Sequence, residues 1–434
     1  MRKILFAGVA VSLILAPAAA LCAVEGLDLS LSTELRYRTM DTDGGDENDL
    51  DWMTRLSADY KWRGELDVDF STLLWYGADL DGGSGDEPTV DMLDTYSSSD
   101  TLRVYRASAN MQLSEIVGAT VGRQDVWSAE RATLDGVSLT FKSPCGYMEG
   151  EIFGGSRVSF YSDPDEDDIY GINFELRPSA STRFTFEDIY YLENTFEAAV
   201  VQKFGSLATG RIAYRHFDES PVELSAEAVV NGWENGQAIF TYKRKLSDAD
   251  DSYGFDYTAF GDEDVDALNF GTFAPYADYS VELRQIFGEF FAYGKLRRHN
   301  LIDEDDEDEY NTDFNEATAG IGYKKGTLRV DAEVNRWVES RFRNDLDEEN
   351  SWGWALLGEK KFEGGYKAGA SVAQQTYDAL GKKRDTSGVS LWGTVPVMDL
   401  ATLDLRYQYE TDELYEDDGI DSVSEFTTRL NFNF

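Results

Sequence analysis

The sequence predicts an all-β chain that closes into a transmembrane antiparallel β-barrel of about 22 strands, within a range of 18 to 24. Three observations predict it. Apolar and polar residues alternate with period two through most of the chain. The connections between these runs are short and long in turn. The last run sets Phe426, Thr428, Leu430, Phe432 and Phe434 on one face.

Taken from the start, Arg2 and Lys3 precede an apolar run from Ile4 to Ala20, and small residues follow at Ala18, Ala19, Ala20 and Ala23. This is the layout of a secretory signal peptide, so residues 1–23 are expected to be removed. Leu21 before Cys22 does not suit a lipidation motif, which wants a small residue there. Residues 24–434 are then a single barrel with long acidic outer loops. They contain no apolar run of the roughly 18 residues a membrane helix needs.

The alternation identifies the strands. Leu27, Leu29, Leu31, Leu35 and Tyr37 share one face, and Asp28, Ser30, Ser32, Glu34, Arg36 and Arg38 the other. Trp52, Leu56, Ala58, Tyr60 and Trp62 stand opposite Arg55, Ser57, Asp59 and Lys61. Leu66, Val68, Phe70, Leu74 and Tyr76 oppose Asp67, Asp69 and Ser71. Leu328, Val330, Ala332 and Val334 oppose Arg329, Asp331, Glu333 and Asn335, and Leu403, Leu405, Tyr407 and Tyr409 oppose Asp404, Arg406, Gln408 and Glu410. Successive strand residues point to opposite faces. A membrane barrel turns the apolar face to lipid and the polar face to its lumen. Runs of about 10 to 12 residues suit the 9–11 that cross a bilayer tilted, and exceed the usual soluble strand.

Short connections fall at Arg63–Glu65, Ser143–Gly146, Pro178–Ser181, Gly326 and Glu363–Gly365. Long ones are expected at Asp41–Asp49, Ala78–Asp100, Ser247–Asp278, Asp303–Asp313 and Asp412–Ser424. Within the third of these, Tyr253–Phe260 also reads as a strand. Such barrels have short periplasmic turns and longer outer loops.

The terminal alternating strand resembles the signature read by the outer-membrane barrel assembly machinery, with Phe426, Leu430, Phe432 and Phe434 as its apolar face. An exposed strand with such a face aggregates unless it closes on a partner. The segment Val121-Gly122-Arg123-Gln124-Asp125, followed by Leu134-Asp135-Gly136-Val137, resembles porins of the alginate-export type. The stretch Phe255–Tyr276, with Gly261-Asp262 and Phe273-Ala274-Pro275-Tyr276, is similar to a later loop of that family. The resemblance implies an outer-membrane channel of a Gram-negative bacterium. Alginate does not follow as cargo: that family's exporter has a basic lumen, whereas this chain carries a formal charge of −43. Arg123 also falls in phase with Ala119 and Val121, which a bulge would explain.

Charged lumen positions are the candidate pore chemistry: Arg36, Arg38, Arg55, Asp59, Asp67, Asp69, Arg106, Arg329, Asp331, Glu333, Asp404, Arg406 and Arg429. Charged rings inside a pore set ion preference. The plainer reading of any one of them is that it solvates the wall. Acidic runs at Asp41–Asp49, Asp163–Asp168, Asp303–Glu309 and Asp345–Glu349 can hold Ca²⁺ in the loops or bridge it to lipopolysaccharide. None has the spacing of an EF-hand loop, and no other cofactor is expected.

With only His216 and His299, a His-based metal site or a catalytic histidine is not expected, and the chain does not read as an enzyme. No CxxCH motif is present, so the chain holds no c-type haem itself. Nucleic acid is no partner for so acidic a protein. Two functions remain: passive diffusion of ions or small hydrophilic solutes, or a sleeve around a multihaem cytochrome in an electron conduit. A barrel near 22 strands is wide enough for either.

Overall fold

The computed structural model describes residues 24–434 except 44, 65, 81–99, 130, 159–167, 192, 218–219, 247–274, 304–312, 341–348, 380–381, 414–415 and 417–418. The signal peptide, the Tyr253–Phe260 run and most of the acidic loop runs lie outside the described residues.

Twenty-two strands form one sheet. The first eight are β1 (Leu27–Thr42), β2 (Gly45–Trp62), β3 (Val68–Asp79), β4 (Asp100–Gln112), β5 (Val117–Trp127), β6 (Arg131–Lys142), β7 (Met148–Arg157) and β8 (Asp168–Ser179). Next come β9 (Thr182–Tyr191), β10 (Glu193–Phe204), β11 (Ala208–Phe217), β12 (Ser220–Trp233), β13 (Gly236–Lys245), β14 (Tyr276–Phe287) and β15 (Phe290–Leu301). The last are β16 (Phe314–Lys325), β17 (Leu328–Ser340), β18 (Glu349–Lys361), β19 (Lys367–Ala379), β20 (Lys382–Met398), β21 (Ala401–Asp412) and β22 (Ile420–Asn433). Each pairs antiparallel with its sequence neighbours, and β1 pairs with β22, so the sheet closes without an edge. Closure lets neighbouring strands pair the wall's backbone groups, which lipid could not do. No described helix is long and apolar enough to cross a membrane.

The two faces separate as the alternation requires. Val121, Val137, Ile152, Ile212, Phe240, Leu283, Leu296, Ile321, Val334, Leu356, Leu391 and Phe426 stand exposed on the outer face. The alternate positions carry the charges and look into the lumen. At the seam, Leu31, Ala401 and Phe432 are buried together on the outer face, against Leu56, Leu430 and Phe434. Phe434 exchanges both backbone hydrogen bonds with Leu29, at 2.9 and 3.5 Å.

One predicted loop is corrected. Asp41–Asp49 is not an outer loop: β1 runs to Thr42 and β2 starts at Gly45, with Asp41 opposite Asp46. Its charged residues still alternate with Met40, Leu50 and Trp52, so the ladder continues beyond the apolar band.

Connection lengths orient the barrel. At the end that holds the β2–β3, β6–β7 and β16–β17 turns, no connection exceeds five residues. At the other end, β3–β4 and β13–β14 are joined by residues 80–99 and 246–275. In a barrel of the outer membrane, such a short end is the periplasmic one. Cys145 is a built-in reporter, since it lies exposed in the β6–β7 turn. Its hydrogen bond with the Ser143 hydroxyl, at 3.4 Å, holds the thiol below its ordinary range and favours the reactive thiolate. A membrane-impermeant maleimide should leave Cys145 unlabelled in intact cells and label it in lysed ones. With Cys145 replaced by Ser, Glu416→Cys should label from outside, and Gly326→Cys or Gly364→Cys should not. The reverse pattern would invert the barrel.

Candidate functional site

The wall between β4 and β7 does not run straight. β4 and β5 pair only from Ala107–Arg123 to Gln112–Gly118, although β4 continues to Asp100 against β3. Likewise β6 pairs with β7 only from Leu134 downward. Above Arg123 and Leu134 the β5–β6 hairpin leaves the wall and lies across the lumenal face of β7–β11. Asn173 Nδ2 on β8 donates to the Trp127 carbonyl at 2.7 Å. Ser128 Oγ donates to the Asp188 carbonyl on β9 at 3.2 Å, and Arg215 on β11 donates to the Ala129 carbonyl.

An apolar contact holds the hairpin down. Val126, Ala129 and Leu134 from the hairpin are buried with Phe153, Ile169 and Ile189 of the wall. Burying Val126 and Leu134 contributes roughly 3–6 kcal/mol, at about 1.5–3 kcal/mol for each side chain. The sequence allows the bend through a glycine row: Gly122 pairs with Gly136, and Gly136 with Gly155. Gly122 has φ +110°, which side-chain-bearing residues rarely adopt. A Cβ on Gly136 would come within 2.7 Å of the Gly155 Cα, so the backbones approach too closely for any other residue.

The bend also resolves the phase of Arg123. On a straight strand Arg123, Asp125 and Trp127 would follow Val117, Ala119 and Val121 onto the lipid face. Folding the hairpin inward turns that side into the pore. Arg123 is bound bidentately by Asp135, at 2.9 and 2.6 Å, and donates to the Val104 carbonyl at 3.0 Å. Asp125 takes Arg131 at 3.0 Å and Thr133 at 2.7 Å. Beneath, Gln124 is buried and accepts from Ser138 Oγ at 3.1 Å. The sequence reading named none of these residues as pore-lining; the phase break at Arg123 was the one available signal.

Charge is segregated around the hairpin. Under it, a lumenal recess of about 720 Å³ is lined by Glu149, Glu151, Asn173, Glu175 and Glu187, among others. Glu149 and Glu175 are both paired with Arg177. Glu151 and Glu187 stand either side of Asn173 in one register row, and neither has a described basic partner within ion-pair distance. On the other flank, Arg55 and Arg106 face the lumen from β2 and β4, likewise without a described carboxylate partner.

The predicted lumen residues do not form a ring. They climb the wall either side of the seam, and several pair across strands: Arg36 with Asp51, Arg38 with Glu425 at 3.5 Å, and Arg429 with Glu34. Asp59 accepts from Ser71 at 2.5 Å and Asp404 from Thr394 at 2.5 Å. Arg406 faces the lumen opposite Trp392 and Thr427. Asp69 pairs with Arg63 of the β2–β3 turn at 2.6 Å, and Asp67 lies in that turn rather than on a strand. Across the barrel, Arg329 pairs with Asp331 at 2.5 Å, and Tyr293 donates to Glu333. His299 faces the lumen beside Asp278 at 3.5 Å, and His216 stacks on Phe196. Among the described residues no group of three His, Cys, Asp or Glu is placed to hold a metal ion.

No family model matches the chain, and no curated protein matches it. Solved structures of similar shape do. Acinetobacter baumannii OccAB4 is 10% identical, covering 95% of this chain and 99% of its own, at a TM-score of 0.45. The P pilus usher (PapC) translocation pore is 9% identical over 93% and 99%, at 0.48. A BenF-like porin from Pseudomonas fluorescens Pf-5 is 9% identical over 95% and 100%, at 0.47.

Proposed function

We propose that the protein is an outer-membrane porin of a Gram-negative bacterium, passing ions or small hydrophilic solutes by passive diffusion. The observation that carries this reading is the inward β5–β6 hairpin, which narrows a polar, charge-lined lumen. The apolar outer face suits lipid, and a wall of Arg, Asp, Glu, Ser and Asn holds water. The glycine row and the Arg123–Asp135 clasp favour kinship with alginate-export-type porins. The acidic recess and the charge of −43 argue against alginate, itself a polyanion, as the solute.

Glu151 and Glu187 should give a modest cation preference at low salt, opposed by Arg55 and Arg106. Screening over about 8–10 Å at physiological ionic strength should weaken it as salt rises. In planar bilayers under a KCl gradient, the purified barrel should conduct without added cofactor, with a reversal potential on the cation side. Glu151→Gln with Glu187→Gln should move it towards anions, and Arg55→Gln with Arg106→Gln the other way. Anion preference in the unmodified protein would refute this charge assignment. No conductance from the folded barrel would make the cytochrome sleeve the better reading.

A further inference from the structure

We propose that Trp127 is a stacking contact for ring-bearing cations at the constriction. The inference rests on the lumen being a solute path and deepens that reading by naming a solute class. Trp127 sits at the end of β5, on the side of the hairpin that the bend turns from lipid to pore. It is 67% exposed, more than any other large hydrophobic described. Other exposed large hydrophobics, such as Ile321 and Leu296, stand on the outer face, where lipid covers them. An indole in a watery lumen has no lipid over it, and Arg131 lies over only one of its faces. Its cover is a transiting solute.

The ring is held in place rather than loose. The Trp127 carbonyl is fixed by Asn173, and the next two residues are fixed by Asp188 and Arg215. The Arg131 guanidinium lies over the indole, 4.7 Å from its centroid, and is itself neutralised by Asp125 at 3.0 Å. An aromatic ring held this way offers a flat surface for offset or edge contact with another ring.

The charge preference comes from the recess beneath. Asn173, which holds the Trp127 carbonyl, also reaches Glu151 at 3.3 Å and lies beside Glu187 in register. A ring resting on Trp127 therefore has Glu151 two hydrogen bonds from the Trp127 carbonyl, through Asn173, with Glu187 next in the same register row. Such a position attracts an ammonium group on the ring and repels a carboxylate.

Tryptamine, indole-3-acetate and putrescine separate the contributions of ring and charge. Tryptamine should interrupt the single-channel current with resolvable blocks, and putrescine and indole-3-acetate should block far less. Trp127→Ala should shorten the tryptamine dwell time about tenfold, equivalent to 1.4 kcal/mol. Trp127→Phe should largely restore it. Neither substitution should change the folded fraction. Titration calorimetry of tryptamine into the detergent-folded barrel gives a second readout that needs no current, with the same order of affinities expected. Blocks or binding unchanged in Trp127→Ala would overturn the proposal, as would putrescine matching tryptamine or indole-3-acetate exceeding it. A barrel that binds tryptamine through Trp127 yet carries no current would count against the porin reading alone.

Discussion

Removing the last four residues, Asn431–Phe434, should abolish the folded barrel. Those residues hold β22 to β1 through the Ser30–Asn433, Leu31–Phe432 and Ser32–Asn431 pairs. They also hold β22 to β21 through Thr402–Asn431 and Ala401–Phe432. Without them, backbone groups at the seam would face lipid unpaired, at several kcal/mol each. The apolar seam cluster would lose Phe432, whose burial anchors it. In soluble cores Phe→Ala alone costs about 3–5 kcal/mol. Heat-modifiable migration on gels measures the folded fraction, and the truncated chain should run only as the unfolded species. Phe432→Ala should lower the folded fraction partly, since it spares the backbone ladder. Deleting Phe434 alone separates recognition from closure. A terminal signal read by the assembly machinery predicts less assembled protein in cells with near-normal refolding in detergent. A full folded fraction in the four-residue truncation would show that the seam does not depend on this end of β22.

Much of the fold was legible because a barrel wall obeys a local rule. Period-two alternation assigns each residue to lipid or lumen without knowing its partners, so Tyr37 and Phe426 outward and Arg36 and Arg429 inward follow from spacing alone. Partners are a different matter. That Arg429 meets Glu34, or Arg38 meets Glu425, depends on registers across the closing seam, between residues nearly the whole chain apart. Alternation also cannot say where a strand leaves the membrane, so Asp41–Asp49 read as a loop and Asp67 as wall. The constriction was the least visible part. Nothing in the sequence marks which connection folds inward, and β5 and β6 are joined by only three residues, 128–130. The local signs were a charge in the lipid phase at Arg123 and glycines at 122 and 136. The decisive contact, Leu134 and Val126 against Ile169 and Ile189, joins strands that sequence cannot place side by side.

Replacing Asp125–Thr133 with a two-glycine turn should raise single-channel conductance several-fold while the barrel still folds. The strand pairs below Arg123 and Leu134, from Gly122–Gly136 down to Val117–Phe141, remain to hold the wall. What disappears is the segment lying across the lumen, along with Trp127, Asp125 and Arg131. The native hairpin should not swing out on its own. Docking worth roughly 3–6 kcal/mol leaves it undocked about one part in a hundred to one part in ten thousand, at 1.4 kcal/mol per factor of ten. The unmodified channel should therefore show steady current with rare large steps. Gly136→Val attacks the same element without shortening the chain. Its side chain would collide with the Gly155 backbone, so the hairpin could not settle against β7. That variant should show frequent steps between the native level and the level of the shortened one. Ion preference should fall in the shortened barrel, because a wider lumen puts water and salt between Glu187 and the passing ion. If the shortened barrel folds and conducts at the native level, the narrowest point of the pore lies elsewhere and the hairpin is only a buttress of the wall.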